Sequence, residues 1–307
     1  MQSLALRLTC NARRGTPLNG LEIILDVPPI DLFMKAEAAK SAFRLIGTND
    51  ESFAQKGHLA KAQTKLRDLG LFDRQPDKID KQLLWDKKYS THISKLGPDI
   101  EHGFRCYTDG SKTKDGLGAG FCIMNHGKVK KTRAFPMQNH TTVFQTEIYA
   151  IRMAIPFIKQ LVPKGETIRI MCDSQAAILA LDSIDTKSAM VLRTKSLLNE
   201  LGADYTVEIH WIKAHVDHKG NEIADRLAKT GCKLTNGYET PISTTVVKQE
   251  IKQEMYKEWD RRWQAQGDCR LFFPCTDRTK SRKICKMSRF DLGIMVRYLT
   301  ACTFETP

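Results

Sequence analysis

Residues 104–111 read Phe-Arg-Cys-Tyr-Thr-Asp-Gly-Ser. An apolar and aromatic run of strand-forming residues ends here on a carboxylate, followed at once by a turn pair. Two further strand-like runs come next, Gly118–Met124 and Lys128–Phe135, with Asn125-His126-Gly127 marking the turn between them. The period then changes. Thr142–Leu161 has helical spacing and stops before Pro163-Lys164-Gly165, and Thr167–Cys172 is a short buried strand leading into a helix over Gln175–Leu181. Ala189–Leu201 reads as helix, Tyr205–Lys213 as strand and Gly220–Leu234 as a closing helix. This order predicts an α/β domain over residues 103–233, built on a five-stranded mixed sheet whose first three strands are antiparallel.

Four carboxylates in this segment occupy positions that a fold normally keeps free of charge. Asp109 ends the first strand, and Asp173 ends the Ile168–Cys172 strand just before a helix. The carboxyl ends of strands are where α/β sheets place ligands. Reading the long helix by its stripe gives Val143, Glu147, Ile151, Ala154 and Ile158, so Glu147 interrupts an apolar face. An unpaired carboxylate turned to a sheet loses several kcal/mol, roughly, to desolvation. Asp225 sits one turn after Asn221 in the closing helix. Any one of these alone reads as a cap or a surface charge. Four from four elements read as a cluster, and clustered carboxylates raise one another's pKa unless a cation neutralises them. Hard oxygen donors suit Mg²⁺ or Mn²⁺, and a pair of such ions stabilises the attacking and leaving oxygens of a phosphoryl displacement. The chemistry expected is phosphodiester hydrolysis.

With these residues in place, a family resemblance emerges. Tyr107-Thr108-Asp109-Gly110-Ser111, Thr146-Glu147, Cys172-Asp173-Ser174-Gln175 and Asn221-Glu222-Ile223-Ala224-Asp225 resemble, in order and spacing, the four motifs of type 1 ribonuclease H. Trp211-Ile212-Lys213-Ala214-His215 precedes the last of them. The resemblance implies a ribonuclease H-like fold and a nuclease acting on the RNA strand of RNA–DNA hybrids. It also implies two Mg²⁺ ions, replaceable by Mn²⁺, held by Asp109, Glu147, Asp173 and Asp225. His215 matches the family's loop histidine that aids proton transfer or product release, and its spacing fits better than that of His218. Ser111, Ser174, Gln175 and Asn221 fall where the family holds substrate or the geometry of the site. Two features depart from the pattern. Val143-Phe144 stands where many members carry paired asparagines, and Gly202-Ala203 leads directly into Tyr205–Lys213, without the basic helix that some bacterial members insert there. The alternative on the same residues is a catalytically inactive nucleic-acid-binding module of a decayed retroelement.

Outside this segment the chain divides into residues 1–48, a polar linker over 49–102 and a basic helical extension over 234–307. After Pro28-Pro29, a helix is expected with Ile30, Met34, Ala38, Ser41 and Leu45 on one stripe, and a marginal helix around Leu59–Leu69. After Pro241, Val247, Ile251, Met255, Trp259 and Trp263 mark another helix, followed by a basic cluster at Arg278–Lys283. Residues 246–297 carry thirteen Lys or Arg against seven Asp or Glu, which makes them the candidate replacement for the missing basic helix. Leu21–Leu45 and Met287–Ala301 resemble segments that flank ribonuclease H in polyproteins of non-long-terminal-repeat retrotransposons, and this resemblance implies neighbouring polyprotein domains as partners. No Asp-Asp pair of a polymerase palm occurs in the chain.

The whole chain carries a formal charge of +13 on 307 residues, an excess that favours polyanionic partners. No apolar run approaches the ~18–20 residues of a membrane span, and residues 1–14 lack the apolar stretch of a signal peptide. Nine scattered cysteines with no C-x-x-C pair fit a reducing, intracellular setting.

Overall fold

The computed structural model describes residues 1–46, 58–71, 73–94, 103–213, 218–265, 273, 275–276 and 278–300. In chain order these form α1 (Gln2–Cys10), α2 (Leu18–Leu25), α3 (Ile30–Leu45), α4 (His58–Asp68), β1 (Gln82–Leu83), β2 (Ser90–His92), β3 (Phe104–Thr113), β4 (Gly116–Asn125) and β5 (Lys128–Met137). There follow α5 (Val143–Leu161), β6 (Thr167–Cys172), α6 (Gln175–Asp182), β7 (Asp185–Thr186), α7 (Ala189–Gly202), β8 (Thr206–Trp211), α8 (Lys219–Gly231), α9 (Thr244–Ala265), α10 (Arg278–Ile284) and α11 (Arg289–Leu299). The chain separates into two compact units, one of residues 74–246 and one of residues 1–73 with 247–307.

The first unit is α/β, as its strand and helix periods predict. Its main sheet runs β2-β8-β6-β3-β4-β5. β3, β4 and β5 pair antiparallel, while β3-β6, β6-β8 and β8-β2 pair parallel. The sheet therefore has one more strand than expected. β2 comes from residues read as linker, where three residues are too few for a period of two to register. Residues 74–92 form a strap over the domain. Asp77 accepts hydrogen bonds from the Ser188 hydroxyl (2.9 Å) and the Met190 amide (3.1 Å) at the start of α7, and from Gln145 Nε2 (3.2 Å) in α5. The Tyr89 hydroxyl donates to the Leu181 carbonyl at 2.7 Å, and Lys87 pairs with Asp182.

The apolar faces of α5, α6 and α7 bury Ile148, Ile151, Ile155, Ile158, Ile178 and Leu198 against the sheet. Burial of such side chains stabilises by about 1.5–3 kcal/mol each. α5 starts on a capping box: Thr142 accepts from the Gln145 amide, and Gln145 reaches back to the Thr142 amide. On the other face α8 packs over β3 and β4, where Tyr107, Cys122, Met124, Met171, Ile212 and Ala224 form a smaller core. This close fit depends on Gly120. A Cβ there would sit 2.6 Å from the Ala228 amide and 2.8 Å from the Ala224 carbonyl.

The second unit joins the two ends of the chain in one helical core, where the sequence suggested separate extensions. Leu21, Ile23 and Ile24 of α2 pack with Trp259, Trp263, Phe273, Leu292 and Val296. Helical periodicity shows that a face is apolar but not which distant helix will cover it. α9 buries Val247, Ile251, Trp259 and Trp263 as its stripe predicts. α3 does not follow its expected stripe. Ile30 and Met34 are exposed, and Leu32, Ala36, Ala39 and Phe43 are buried instead. Those four have equally good helical spacing, and they include an aromatic residue with more surface to bury. No helix of the described residues is long and apolar enough to cross a membrane, and the described cysteines form no disulfide.

Candidate active site

The site sits where the ends of β3 and β6 meet α5 and α8. Asp109 lies on β3 directly opposite Gly120 of β4, and the missing side chain at Gly120 lets α8 approach closely. Gly110 does the same on the other face, since a Cβ there would stand 2.7 Å from the Glu147 amide. Two glycines thus bring α5 and α8 down to the end of one strand, each helix carrying a carboxylate.

Asp109, Asp173 and Asp225 line one cleft of about 260 Å³, together with Ser111, His218, Asn221, Glu222 and Lys229. Glu147 lies below this cleft. Its carboxylate, the Cys172 thiol and the Asp173 carboxylate offer ligand atoms within 4.8 Å of one another. Asp109 and Glu147 are 7% and 5% exposed, and Asp109 Oδ2 and Asn221 Oδ1 are buried with no hydrogen-bond partner.

The electrostatics follow from this crowding. Burial pushes the Asp109 carboxyl up to about 7, the charges of Asp173 and Asp225 push in the same direction, and Lys229 opposes them. Burial also raises Glu147 well above the carboxylate range, reinforced by Asp109 and Asp173, against hydrogen bonds from the Gly110 amide and the Cys172 thiol. Buried, mutually repelling oxygens with unpartnered acceptors are a donor set suited to a hard divalent cation, so the residues present fit Mg²⁺ or Mn²⁺. Cys172 is a soft donor and does not belong to that set. It is fully buried and its thiol faces Glu147 at 3.9 Å.

The four carboxylates read from the sequence are therefore brought together. Ser111 and Asn221 line the same cleft, whereas Ser174 and Gln175 are not among its lining residues. Ser174 caps α6 by accepting from the Ala177 amide, and Gln175 is exposed in the first turn of that helix. His215 lies outside the described residues. His218 is at the N-cap of α8 and lines the cleft. Sequence reasoning missed Lys229, whose ammonium pairs with Asp225 at 2.7 Å. The signal was present as an i,i+4 pair on the closing helix. Val143 is exposed at the start of α5 and Phe144 packs against the core, so neither offers an amide to a ligand.

Comparison with known proteins places these features in a family. Residues 101–233 match the RNase H family model. A ribonuclease H of Marinobacter nauticus is 28% identical over 144 residues, covering 43% of this chain and 95% of that protein. Among solved structures, RNase H1 from the halophilic archaeon Halobacterium salinarum is 21% identical with a TM-score of 0.34, covering 42% of this chain and 96% of that one. The N-terminal RNase H domain of a Mycobacterium tuberculosis protein, solved as a fusion with maltose binding protein, is 17% identical with a TM-score of 0.34, covering 42% and 97%. Residues 101–233 are thus an RNase H domain with the RNase H-like fold, set in a chain whose remaining residues lie outside the family match.

Proposed function

We propose that residues 103–233 form a metal-dependent endonuclease that hydrolyses the RNA strand of RNA–DNA hybrids. The observation that carries this reading is the convergence of Asp109, Glu147, Asp173 and Asp225, from four elements, on one site with a buried, unpartnered Asp109 oxygen. When bound, two Mg²⁺ or Mn²⁺ ions supply Lewis-acid stabilisation of the attacking and leaving oxygens. The chain's own part is to hold them. Asp109 and Asp173 do so from rigid strand ends, Glu147 from the buried face of α5, and Asp225 from α8. Lys229 balances the charge of Asp225 and leaves Asp109 and Glu147 as the acidic pair most in need of a cation. Asn221 and Ser111 line the cleft beside these carboxylates and are placed to orient a phosphate or ribose oxygen. His215, with His218 as its competitor, is assigned the proton transfer that accompanies departure of the product.

The retention of all four carboxylates supports an active enzyme over an inactive binding module. The flanking resemblances support a setting beside other polyprotein modules of a retroelement. The test is to incubate purified protein with labelled RNA–DNA hybrid, duplex DNA and duplex RNA in Mg²⁺. Cleavage confined to the RNA strand of the hybrid is expected. Equal cutting of duplex DNA would overturn the substrate assignment.

A further inference from the structure

The helical unit contains a buried carboxylate that the proposed nuclease chemistry does not use. Glu22 of α2 is 6% exposed, and its carboxylate makes no hydrogen bond or ion pair among the described residues. The nearest opposite charge, Arg262 of α9, is engaged elsewhere. Its guanidinium spans Asp31 through bonds of 3.0 and 2.8 Å and reaches Glu258 at 3.4 Å. Burial, then Asp31, raises the Glu22 carboxyl to about 7, with Arg262 opposing. An unpaired carboxylate in such a place is costly to the fold.

Glu22 also lines a cleft of about 300 Å³, and two tryptophans, Trp259 and Trp263, line the same cleft with Leu18 and Pro29. A carboxylate beside indole rings is the chemistry that recognises an organic cation, through charge pairing and attraction to the aromatic faces. An anion would meet Glu22 and Asp31, and an apolar guest would leave the carboxylate unpaired. The volume stands at the lower end of ligand pockets, which suits a group the size of a side chain rather than a nucleotide. We propose that this cleft binds an alkylammonium group, carried by a small amine or by a lysine side chain of a partner, with Glu22 as its counter-ion and Trp259 and Trp263 as its walls.

The test uses the full chain and follows the indole N–H signals of Trp259 and Trp263 by NMR. The protein is titrated with n-butylammonium chloride, with 1-butanol as the neutral guest of the same shape and with sodium chloride as the salt control. A saturable shift with butylammonium is expected, and 1-butanol should bind about tenfold more weakly, the loss of one charge pairing. Glu22→Gln keeps the shape of the site and should weaken butylammonium binding by a similar factor. N-acetyl-lysine methylamide serves as the second cationic probe. Tighter binding than butylammonium assigns the natural guest to a lysine side chain, and weaker binding assigns it to a free amine. Butanol binding as tightly as butylammonium, a Glu22→Gln variant that binds the amine unchanged, or the absence of a saturable shift would each overturn the proposal. Because the butanol comparison is made on the unaltered protein, it decides the matter even if the variant does not fold.

Discussion

At Asp109 a carboxyl group is buried, repelled by two neighbouring aspartates and left with one oxygen unpartnered. In the metal-free protein it therefore keeps its proton to about pH 7, whereas in the unfolded chain it ionises near pH ~3.9. Its contribution to stability is full below the lower value and is lost as pH rises through the upper one. Asp109→Asn removes that loss. In chelator, the variant should melt higher than wild type, by a margin that widens from about pH 4 to about pH 7. A margin that stays constant across this range would show that Asp109 is not the strained group. The four acidic positions were legible in the sequence because each broke a local rule, at a strand end or within an apolar stripe. Lys229 broke none, since an exposed lysine on a helix is ordinary, and only the fold reveals it beside Asp225. Ser174 shows the opposite case. Its motif position suggested a substrate contact, while its hydroxyl is occupied in capping α6.

Two features of the elements hold the site in place. The first is the contact of α8 with Gly120. Gly120→Ala would set a methyl group 2.6–2.8 Å from the α8 backbone, and overpacking of this kind costs about 1–3 kcal/mol. Because Asp225 rides on α8, the variant should lose hybrid cleavage out of proportion to its lowered melting temperature. Full activity in a destabilised Gly120→Ala protein would show that the position of α8 is not critical. The second is the strap over residues 74–92. Asp77 ties the start of α7 to α5, and Asp77→Ala should cost about 1–3 kcal/mol by leaving those donors unpaired. Thermal unfolding measures it, and an unchanged melting temperature would contradict the role of the strap. Long strands and helices could be read from their periods. The strap could not, because its links are single polar side chains and strands of two or three residues.

On the scale of the whole molecule, the ends of the chain share a core in which Leu21, Ile23 and Ile24 rely on Trp259, Trp263 and Val296. Two faces more than 200 residues apart leave no mark of their pairing in a single sequence. Truncating the chain before α9 would strip this core, so a nucleic-acid role for the basic C-terminal residues is better tested with the chain intact. Lys280, Arg282 and Lys283 are exposed on α10. If they neutralise phosphates, changing all three to Gln should flatten the salt dependence of hybrid binding by up to ~0.9 log units for each phosphate left without its cation. An unaltered slope would leave α10 with a packing role only. The central claim, that four carboxylates form a cation-dependent nuclease centre, is tested most directly by the rate of hybrid cleavage as Mg²⁺ is titrated, for wild type and Asp109→Asn. The account predicts a wild-type rate that rises with Mg²⁺ and is abolished by chelator, and a variant that remains folded without cutting at any Mg²⁺ concentration. Undiminished cleavage by wild type in chelator, or by Asp109→Asn in Mg²⁺, would contradict it.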